Sequence, residues 1–312
     1  MAIDNMKQGN AKPVSTKLDG NQLDGLKKAA QAKSGPNAYA DLTEPEGVRE
    51  REAVLRASIR SLGSLVVAFS GGVDSSYLLK VAHEELGYNA LGVTARSATY
   101  PEREYRQATD FAAQYGIRQL VIISEELDVE GFEDNPKNRC YLCKNELFEK
   151  ILVVAKEQNL VHVAEGSNVD DLGDYRPGLQ AVKEHGILSP LRQAGLTKND
   201  IRFLSREMGL NTWNKQAFAC LSSRFPYGTK ITREKLSVID RAEQLLIDLG
   251  FTQVRVRHHG DVARIELSEA EMPRFLESEI RNQVYDAYRS LGFSFTALDI
   301  RGYRTGSMNI GL

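Results

Sequence analysis

The 312-residue sequence predicts an α/β protein: a doubly wound parallel sheet followed by a smaller C-terminal α+β domain. Three observations carry that expectation. The run LVVAF at residues 65–69 is short, continuous and apolar, as a strand buried on both faces must be. Strand-like runs then alternate with helix-period segments, the grammar of βαβ units. From about Phe225 the grammar changes: TQVRVRHH and VARIELS alternate apolar and charged residues, as strands with one wet face do.

The elements follow in order. Residues 1–48 are polar and nearly without aromatics, and read as a flexible tail outside the domains. REREAVLRASIRSLG, from Arg49, has apolar residues at helical spacing and a stop at Gly63. After the first strand and a Gly-Gly turn, SSYLLKVAHEELG predicts a helix closed by Gly87. A strand follows over residues 90–95, then the helix PEREYRQATDFAAQYG, ending at Gly116, then the strand RQLVIIS. Asn135-Pro136 predicts a further helix start, with Asn as N-cap and Pro at N1. LVHVAEGSN, residues 160–168, supplies another strand and loop. An α/β domain over 49–224 and an α+β domain over 225–312 complete the division. In the second, LGF recurs at 249–251 and 291–293, each at a helix-to-strand junction where glycine is the usual C′ residue.

Composition narrows the function classes. Forty basic against 42 acidic residues give a net charge of −2, so the whole chain carries no electrostatic footprint for nucleic acid. Three cysteines do not make a secreted disulfide framework. No apolar run approaches a membrane span, and residues 1–20 lack the core of a secretory signal; a cytoplasmic protein with reduced thiols is expected.

AFSGGVDSSYLL, residues 68–79, is the most informative stretch. A buried strand ends at Phe69, and Ser70, Gly71 and Gly72 lead into a helix. Glycines permit a tight turn and close approach of backbone amides to an anion, and the helix N-terminus adds partial positive charge. Ser70, Ser75 and Ser76 are candidate hydroxyl donors to phosphate. Asp74, acidic at a phosphate site, implies a bridging Mg²⁺. The GK[ST] ending of a Walker A loop is missing. Because the SGGVDS loop resembles that of a family that binds ATP, the adenine is expected across the C-terminal ends of the neighbouring strands, at residues 93–95 and Thr94 in particular.

The stretch resembles the SGGxDS loop of the ATP-pyrophosphatase, or PP-loop, family, which holds the pyrophosphate of ATP while a substrate is adenylated. DYRPG (174–178), CLSSRFPYGT (220–229), VRVR, ARIEL and GYRTG are similar to signatures of the LarE family, and that resemblance runs from about residue 50 to the C-terminus. It implies a fold of the adenine nucleotide alpha-hydrolase type. It also implies an ATP-dependent sulfur transferase of nickel-pincer cofactor biosynthesis, acting on a nicotinate-derived mononucleotide, pyridinium-3,5-biscarboxylic acid mononucleotide. Each carboxylate is adenylated and converted to a thiocarboxylate. In one version of the family a cysteine matching Cys220 surrenders its own sulfur. In the other, cysteines matching Cys140, Cys143 and Cys220 hold a [4Fe-4S] cluster whose open iron presents sulfide from a donor.

Cys140 and Cys143 stand at i and i+3, one face of a helix, and can grip a cluster together. A CxxC also occurs as a zinc half-site, a redox pair or two packed thiols. Cys220 reads either as a buried small hydrophobe or as a reactive loop residue. Arg255, Arg304 and Ser223 are the candidates for the substrate phosphate, with Arg257 beside Arg255 on the polar face of its strand. Arg176 is a candidate ATP or substrate contact. Asp170, Asp171 and Asp174 either help hold Mg²⁺ or serve as turn residues. His258 and His259 point to opposite strand faces and are read as non-ligands. A PP-loop tRNA thiolase and a nucleotide sensor with structural zinc remain alternatives, and homo-oligomerisation stays open.

Overall fold

The computed structural model describes residues 42–173, 177–216, 218–304 and 306–309. A first helix, α1 (Val48–Leu62), ends at Gly63, which takes φ 69° and donates its amide to the Arg60 carbonyl. The first sheet then forms around β1 (Leu65–Ala68). β1 pairs in parallel with β2 (Ala90–Arg96) on one side and β4 (Val163–Ala164) on the other, and β3 (Gln119–Ile123) lies beyond β2, giving the order β3-β2-β1-β4.

The period-2 geometry of β1 explains its unbroken apolar run. Leu65, Val67 and Phe69 enter one core with α1, α2 (Val73–Leu86), α3 (Glu102–Gln114) and α7 (Lys198–Glu207). Val66 faces the other way, with Leu91 and Val93, into a core built on Phe148 and Ile151 of α4 (Arg139–Glu157) and on α5 (Gly178–Glu184). A four-residue helix, α6 (Pro190–Gln193), precedes α7. The sheet is parallel and covered on both faces, as an α/β fold requires.

One expectation changes, at the start of α4. In the stretch 160–168 the strand is the two residues of β4, and the polar residues beyond Ala164 form the loop over the strand ends. β3 is an edge strand and leaves Leu120, Val121 and Ile123 exposed. The helix does not start at Asn135-Pro136. Asn135 sits in the left-handed region at φ 53°, and α4 begins at Arg139 with Asn138 as N-cap. The Asn135 amide goes elsewhere, donating to the carbonyls of Phe225 and Pro226 at 3.2 and 2.7 Å.

The second sheet holds β5 (Val254–His259), β6 (Val262–Leu267) and β7 (Phe295–Leu298), with β5 and β6 antiparallel and β6 and β7 parallel. Its core unites α8 (Arg233–Asp248) and α10 (Ser278–Ser290) with Val256, Ile265 and Phe293; α9 (Met272–Phe275) adds Phe275. The wet face predicted for β5 is a correction. Arg255 and Arg257 are 9% and 5% exposed, and Glu266 is fully buried. Arg257 Nη2 pairs with Glu266 Oε2 at 2.6 Å and Nη1 donates to the Ser223 carbonyl, while the Arg255 guanidinium lies 5.0 Å from the Tyr303 ring centre. The alternation marks a buried arginine–glutamate layer, closed over by the segments around 223 and 303. His258 stacks on Phe225, and His259 Nε2 accepts from Arg264. Among the described residues no helix is long and apolar enough to cross a membrane.

Candidate active site

The anion loop follows directly from β1. Gly71 has φ 62°, and a Cβ there would lie 2.9 Å from Ala108 Cβ and 3.1 Å from Ala108 Cα, so the loop passes under α3 only as glycine. Gly72, extended at φ −78°, is the N-cap of α2 and offers the first-turn amides no side chain. Ser75 Oγ takes the Ser70 amide at 3.3 Å, lies 3.1 Å from Ser70 Oγ and donates to the Gly72 carbonyl. Ser76 Oγ is buried with no hydrogen-bond partner. Thr94 is fully buried. Its hydroxyl donates to the Phe69 carbonyl at 2.9 Å and accepts from Gln119 Nε2 at 2.8 Å, so it braces the loop's entry and has no donor left for a ligand.

Opposite the loop lies the segment after β4, across the point where the strand order reverses. A Cβ on Gly166 would stand 3.0 Å from the Ser75 amide nitrogen, which keeps the two loops in close contact. Asp74 is already engaged: Asn168 Nδ2 donates to its Oδ1 at 3.2 Å and Lys198 Nζ to its Oδ2 at 2.5 Å. Asp170 Oδ2 accepts the Lys198 amide and Asp171 Oδ2 the Asn168 amide, so both serve here as turn-forming residues. Asp174 and Arg176 lie outside the described residues. A Mg²⁺ ion at Asp74 fits the donor chemistry if Lys198 gives way. Lys215 flanks the loop from the other side, with Nζ 2.9 Å from the Gly71 carbonyl and 2.7 Å from Glu104.

The cysteines come from two places. Cys140 and Cys143 sit in the first two turns of α4, and Cys220 precedes the single 3₁₀ turn Leu221–Arg224. Asn135 ties α4's lead-in to the Phe225 and Pro226 carbonyls, Arg139 Nη1 donates to the Ser222 carbonyl at 3.2 Å, and the Gly228 amide bonds the Asn135 carbonyl. Burial pushes the Cys143 thiol well above its ordinary value, with Glu126, Cys220 and Cys140 adding to the rise. Burial of the sulfur and then Cys220 raise Cys140, whose residue as a whole is exposed, while Arg139 and Lys144 pull it back. Glu126 is 2% exposed and accepts from Ser97, Thr99 and Ser124. Among the described residues no group of three His, Cys, Asp or Glu side chains stands at metal-holding spacing. Three thiols suit iron, but as they stand they are not drawn together into a ligand set.

A short connection joins loop and cysteines. Tyr100 donates its hydroxyl to the Ser70 carbonyl at 2.7 Å and packs edge-on against Phe218, and the Leu221 amide bonds the Thr99 carbonyl at 2.9 Å. Arg224, fully buried, pairs with Glu243 and donates to the carbonyls of Ala219 and Cys220. Ser223 Oγ donates to the Cys220 carbonyl and accepts from Arg224, so its hydroxyl holds the cysteine's backbone. Arg255 lines a cavity of about 410 Å³ together with Arg103, Glu104, Lys215, Phe218 and Thr252. Arg304 has a buried Nε without a partner and one Nη 4.0 Å from Asp299. Lys198, Lys215 and Tyr100 were absent from the sequence expectation, and Asn135 entered it only as a helix cap. Only Asn135 left a local signal there, as an Asn-Pro pair; the other three act through partners distant along the chain.

No protein-family model matches the chain. It is 38% identical over 260 residues to the pyridinium-3,5-bisthiocarboxylic acid mononucleotide synthase of Lactiplantibacillus plantarum, covering 83% of this chain and 94% of that protein. An uncharacterized protein of Synechocystis sp. is 40% identical over 255 residues, 82% of this chain and 95% of the relative. A more distant relative, the argininosuccinate synthase of Natronomonas pharaonis, is 29% identical over 159 residues, 47% of this chain and 39% of its own length. A glycine-cornered anion loop at the switch point, a cysteine-bearing loop joined to it through Tyr100, and near-complete alignment with the synthase agree: the chain belongs to the pyridinium-3,5-bisthiocarboxylic acid mononucleotide synthase family, the LarE family, within the PP-loop superfamily.

Proposed function

We propose that the protein is an ATP-dependent sulfur transferase that adenylates the carboxylates of pyridinium-3,5-biscarboxylic acid mononucleotide and converts them to thiocarboxylates. The observation that carries this reading is the Tyr100 connection, which joins the anion loop at Ser70 to the segment bearing Cys220. Residues 49–224 form the ATP-binding domain in this reading, and 225–312 the α+β domain.

ATP lies with its phosphates on Ser70, Gly71, Gly72, Ser75 and Ser76, where backbone amides and the start of α2 favour negative charge. A substrate carboxylate oxygen attacks the α-phosphorus; the bond to the β-phosphate breaks and pyrophosphate leaves. A sulfur nucleophile then attacks the acyl carbon and AMP departs with the bond electrons. Arg255, facing the cavity between the two halves, and Arg304 supply charge for the substrate phosphate. Ser223 acts by holding the Cys220 carbonyl.

Cys140, Cys143 and Cys220 would hold the [4Fe-4S] cluster after drawing together, and when bound it would supply a sulfide at the iron they leave open. The second reading makes Cys220 the donor. Its sulfur forms the thioester, the Cα proton is lost, the Cβ–Sγ bond breaks, and the thiocarboxylate leaves dehydroalanine in the chain. The Arg224 clamp on the Cys220 backbone favours it, because it positions this cysteine without the other two.

Anaerobically purified full-length protein, given substrate, MgATP and sulfide, is expected to release pyrophosphate and AMP and to turn over repeatedly with unchanged intact mass, together with iron and acid-labile sulfide. A chain mass lower by the elements of hydrogen sulfide after one turnover selects the Cys220 route. ATP binding without any cleavage, or cleavage stimulated only by tRNA, overturns the proposal.

A further inference from the structure

Four successive carbonyls of the anion loop each accept a hydrogen bond. The Phe69 carbonyl takes the Thr94 hydroxyl at 2.9 Å, that of Ser70 the Tyr100 hydroxyl at 2.7 Å, and that of Gly71 the Lys215 ammonium at 2.9 Å. The Gly72 carbonyl completes the set, taking the Ser76 amide at 3.0 Å and the Ser75 hydroxyl at 3.3 Å. The amides of Gly71 and Gly72, by contrast, find no acceptor among the described residues.

The carbonyl and amide of one peptide point in opposite directions, because the trans bond is planar. The Ser70 carbonyl shares its peptide with the Gly71 amide, and the Gly71 carbonyl shares its own with the Gly72 amide. A donor that draws either carbonyl one way therefore turns the paired amide the other way. Glycine needs such a brace more than other residues do, since without a Cβ its own sterics leave more peptide orientations open.

Both donors are themselves held. Tyr100 stands immediately before Pro101, the N-cap of α3; its amide bonds the Ser97 carbonyl and its ring packs edge-on against Phe218 at 6.2 Å. Burial, with the Glu104 charge adding to it, pushes the Tyr100 hydroxyl above its ordinary value, so it keeps the proton it donates to Ser70. Lys215 has its carbonyl gripped by Arg202 Nη2 at 2.9 Å and its amide on the Thr212 carbonyl, and its ammonium lies 2.7 Å from the Glu104 carboxylate.

We infer that Tyr100 and Lys215 are positioning residues of the anion loop, Tyr100 aiming the Gly71 amide at the bound anion and Lys215 aiming the Gly72 amide, each through the carbonyl of the same peptide. Neither touches the anion in this role. Lys215 lies in the segment that leads to Cys220, and Tyr100 packs on Phe218 of that segment. The same two residues thus fix where the loop stands relative to the turn that bears the cysteine.

The inference rests on the reading of this loop as an ATP site. Amide NMR of the full chain, carrying isotope-labelled glycine and titrated with MgATP, tests it, and calorimetry with the same nucleotide tests the reading beneath it. In the wild type the Gly71 and Gly72 amide resonances should both move on saturation. Tyr100→Phe keeps the ring against Phe218 and removes only the hydroxyl. It is expected to diminish the Gly71 response, leave that of Gly72, and weaken MgATP binding about fivefold, the order of one neutral hydrogen bond. Lys215→Met should diminish the Gly72 response and leave that of Gly71, and Lys215→Arg should restore it by returning a donor to the carbonyl. Tyr100→Phe leaves every charge in place and tests the pairing even if Lys215→Met, which takes the cation from Glu104, does not fold. Variants in which the two glycines respond alike, whether both as in the wild type or both weakened, overturn the inference; loss of affinity in Lys215→Met with both responses intact makes Lys215 a direct phosphate contact instead. If the wild type binds no MgATP, the ATP reading falls first and the inference with it.

Discussion

Gly71 bears the sharpest constraint of any single residue in the anion loop. Its positive φ costs an L-residue about 1–2 kcal/mol, and its Cβ would meet both Cβ and Cα of Ala108. Gly71→Ala is therefore expected to lower stability by about 1–3 kcal/mol, read as a drop in thermal midpoint, and to abolish measurable ATP binding by displacing the loop from α3. Retained wild-type affinity would separate the loop's geometry from nucleotide binding. Other candidate residues teach a different lesson. A hydroxyl in a motif offers a donor only if its neighbours leave it one. Thr94 spends its proton on Phe69, and Ser223 spends its own on the Cys220 carbonyl. The first commitment has no local sequence signal, because the Phe69 carbonyl reaches Thr94 only in the folded sheet, whereas the second is a local bond to the carbonyl three residues back.

Among the elements, the lead-in to α4 decides where two of the cysteines stand. Asn135-Pro136 has the composition of a helix start, yet Asn135 adopts φ 53° and its side chain bonds two carbonyls across the molecule while Arg139 donates to its Oδ1. Asparagine tolerates the left-handed region, which makes the turn as available to it as the cap. Tertiary partners outweighed the local preference. Asn135→Ala leaves these buried groups unsatisfied and is expected to cost about 1–3 kcal/mol. It should also slow cross-linking of Cys140 to Cys220 by a short bis-maleimide, and unchanged stability and cross-linking would remove Asn135 from its role in aligning them. β5 makes the same point for strands. Its alternation of valine and arginine correctly marks a strand, but period 2 only separates two faces and does not say which is wet. Glu243 and Glu266 with the 223–225 segment cover the charged face, so arginines take the interior.

At the level of the molecule, Glu243 joins the two halves. Its carboxylate accepts from Arg224 at 2.8 and 3.0 Å, from the Val256 amide at 3.0 Å and from Arg103 of α3 at 3.1 Å. Burial works to raise its carboxyl, but the charge and hydrogen bonds of Arg224, with Arg255 and Arg103, outweigh that and hold it below the ordinary carboxylate value. The contribution to stability is present above the unfolded carboxyl value of about 4.3 and is lost as pH falls through the lower folded value. Glu243→Gln strands buried arginine charge and is expected to cost about 3–5 kcal/mol at neutral pH. Wild-type stability should fall toward the variant's as the solution is acidified through that range, as read by denaturant melts; parallel pH curves would refute the linkage.

Local rules were enough to establish the class of fold, the position of the glycine loop and the shared helix face of Cys140 and Cys143. A doubly buried strand must be apolar throughout, a positive-φ loop under a helix must be glycine, and a CxxC on a helix must share a face. Packing of the folded chain settled the rest: Lys198 sits on Asp74, Tyr100 bridges Ser70 and Phe218, and Arg255 and Arg257 are buried beneath the Cys220 loop. Each of these is a pairing between residues far apart in the chain. Composition and period describe a residue's preferences, whereas the partner that satisfies a charge or a donor is chosen only when distant segments are packed together.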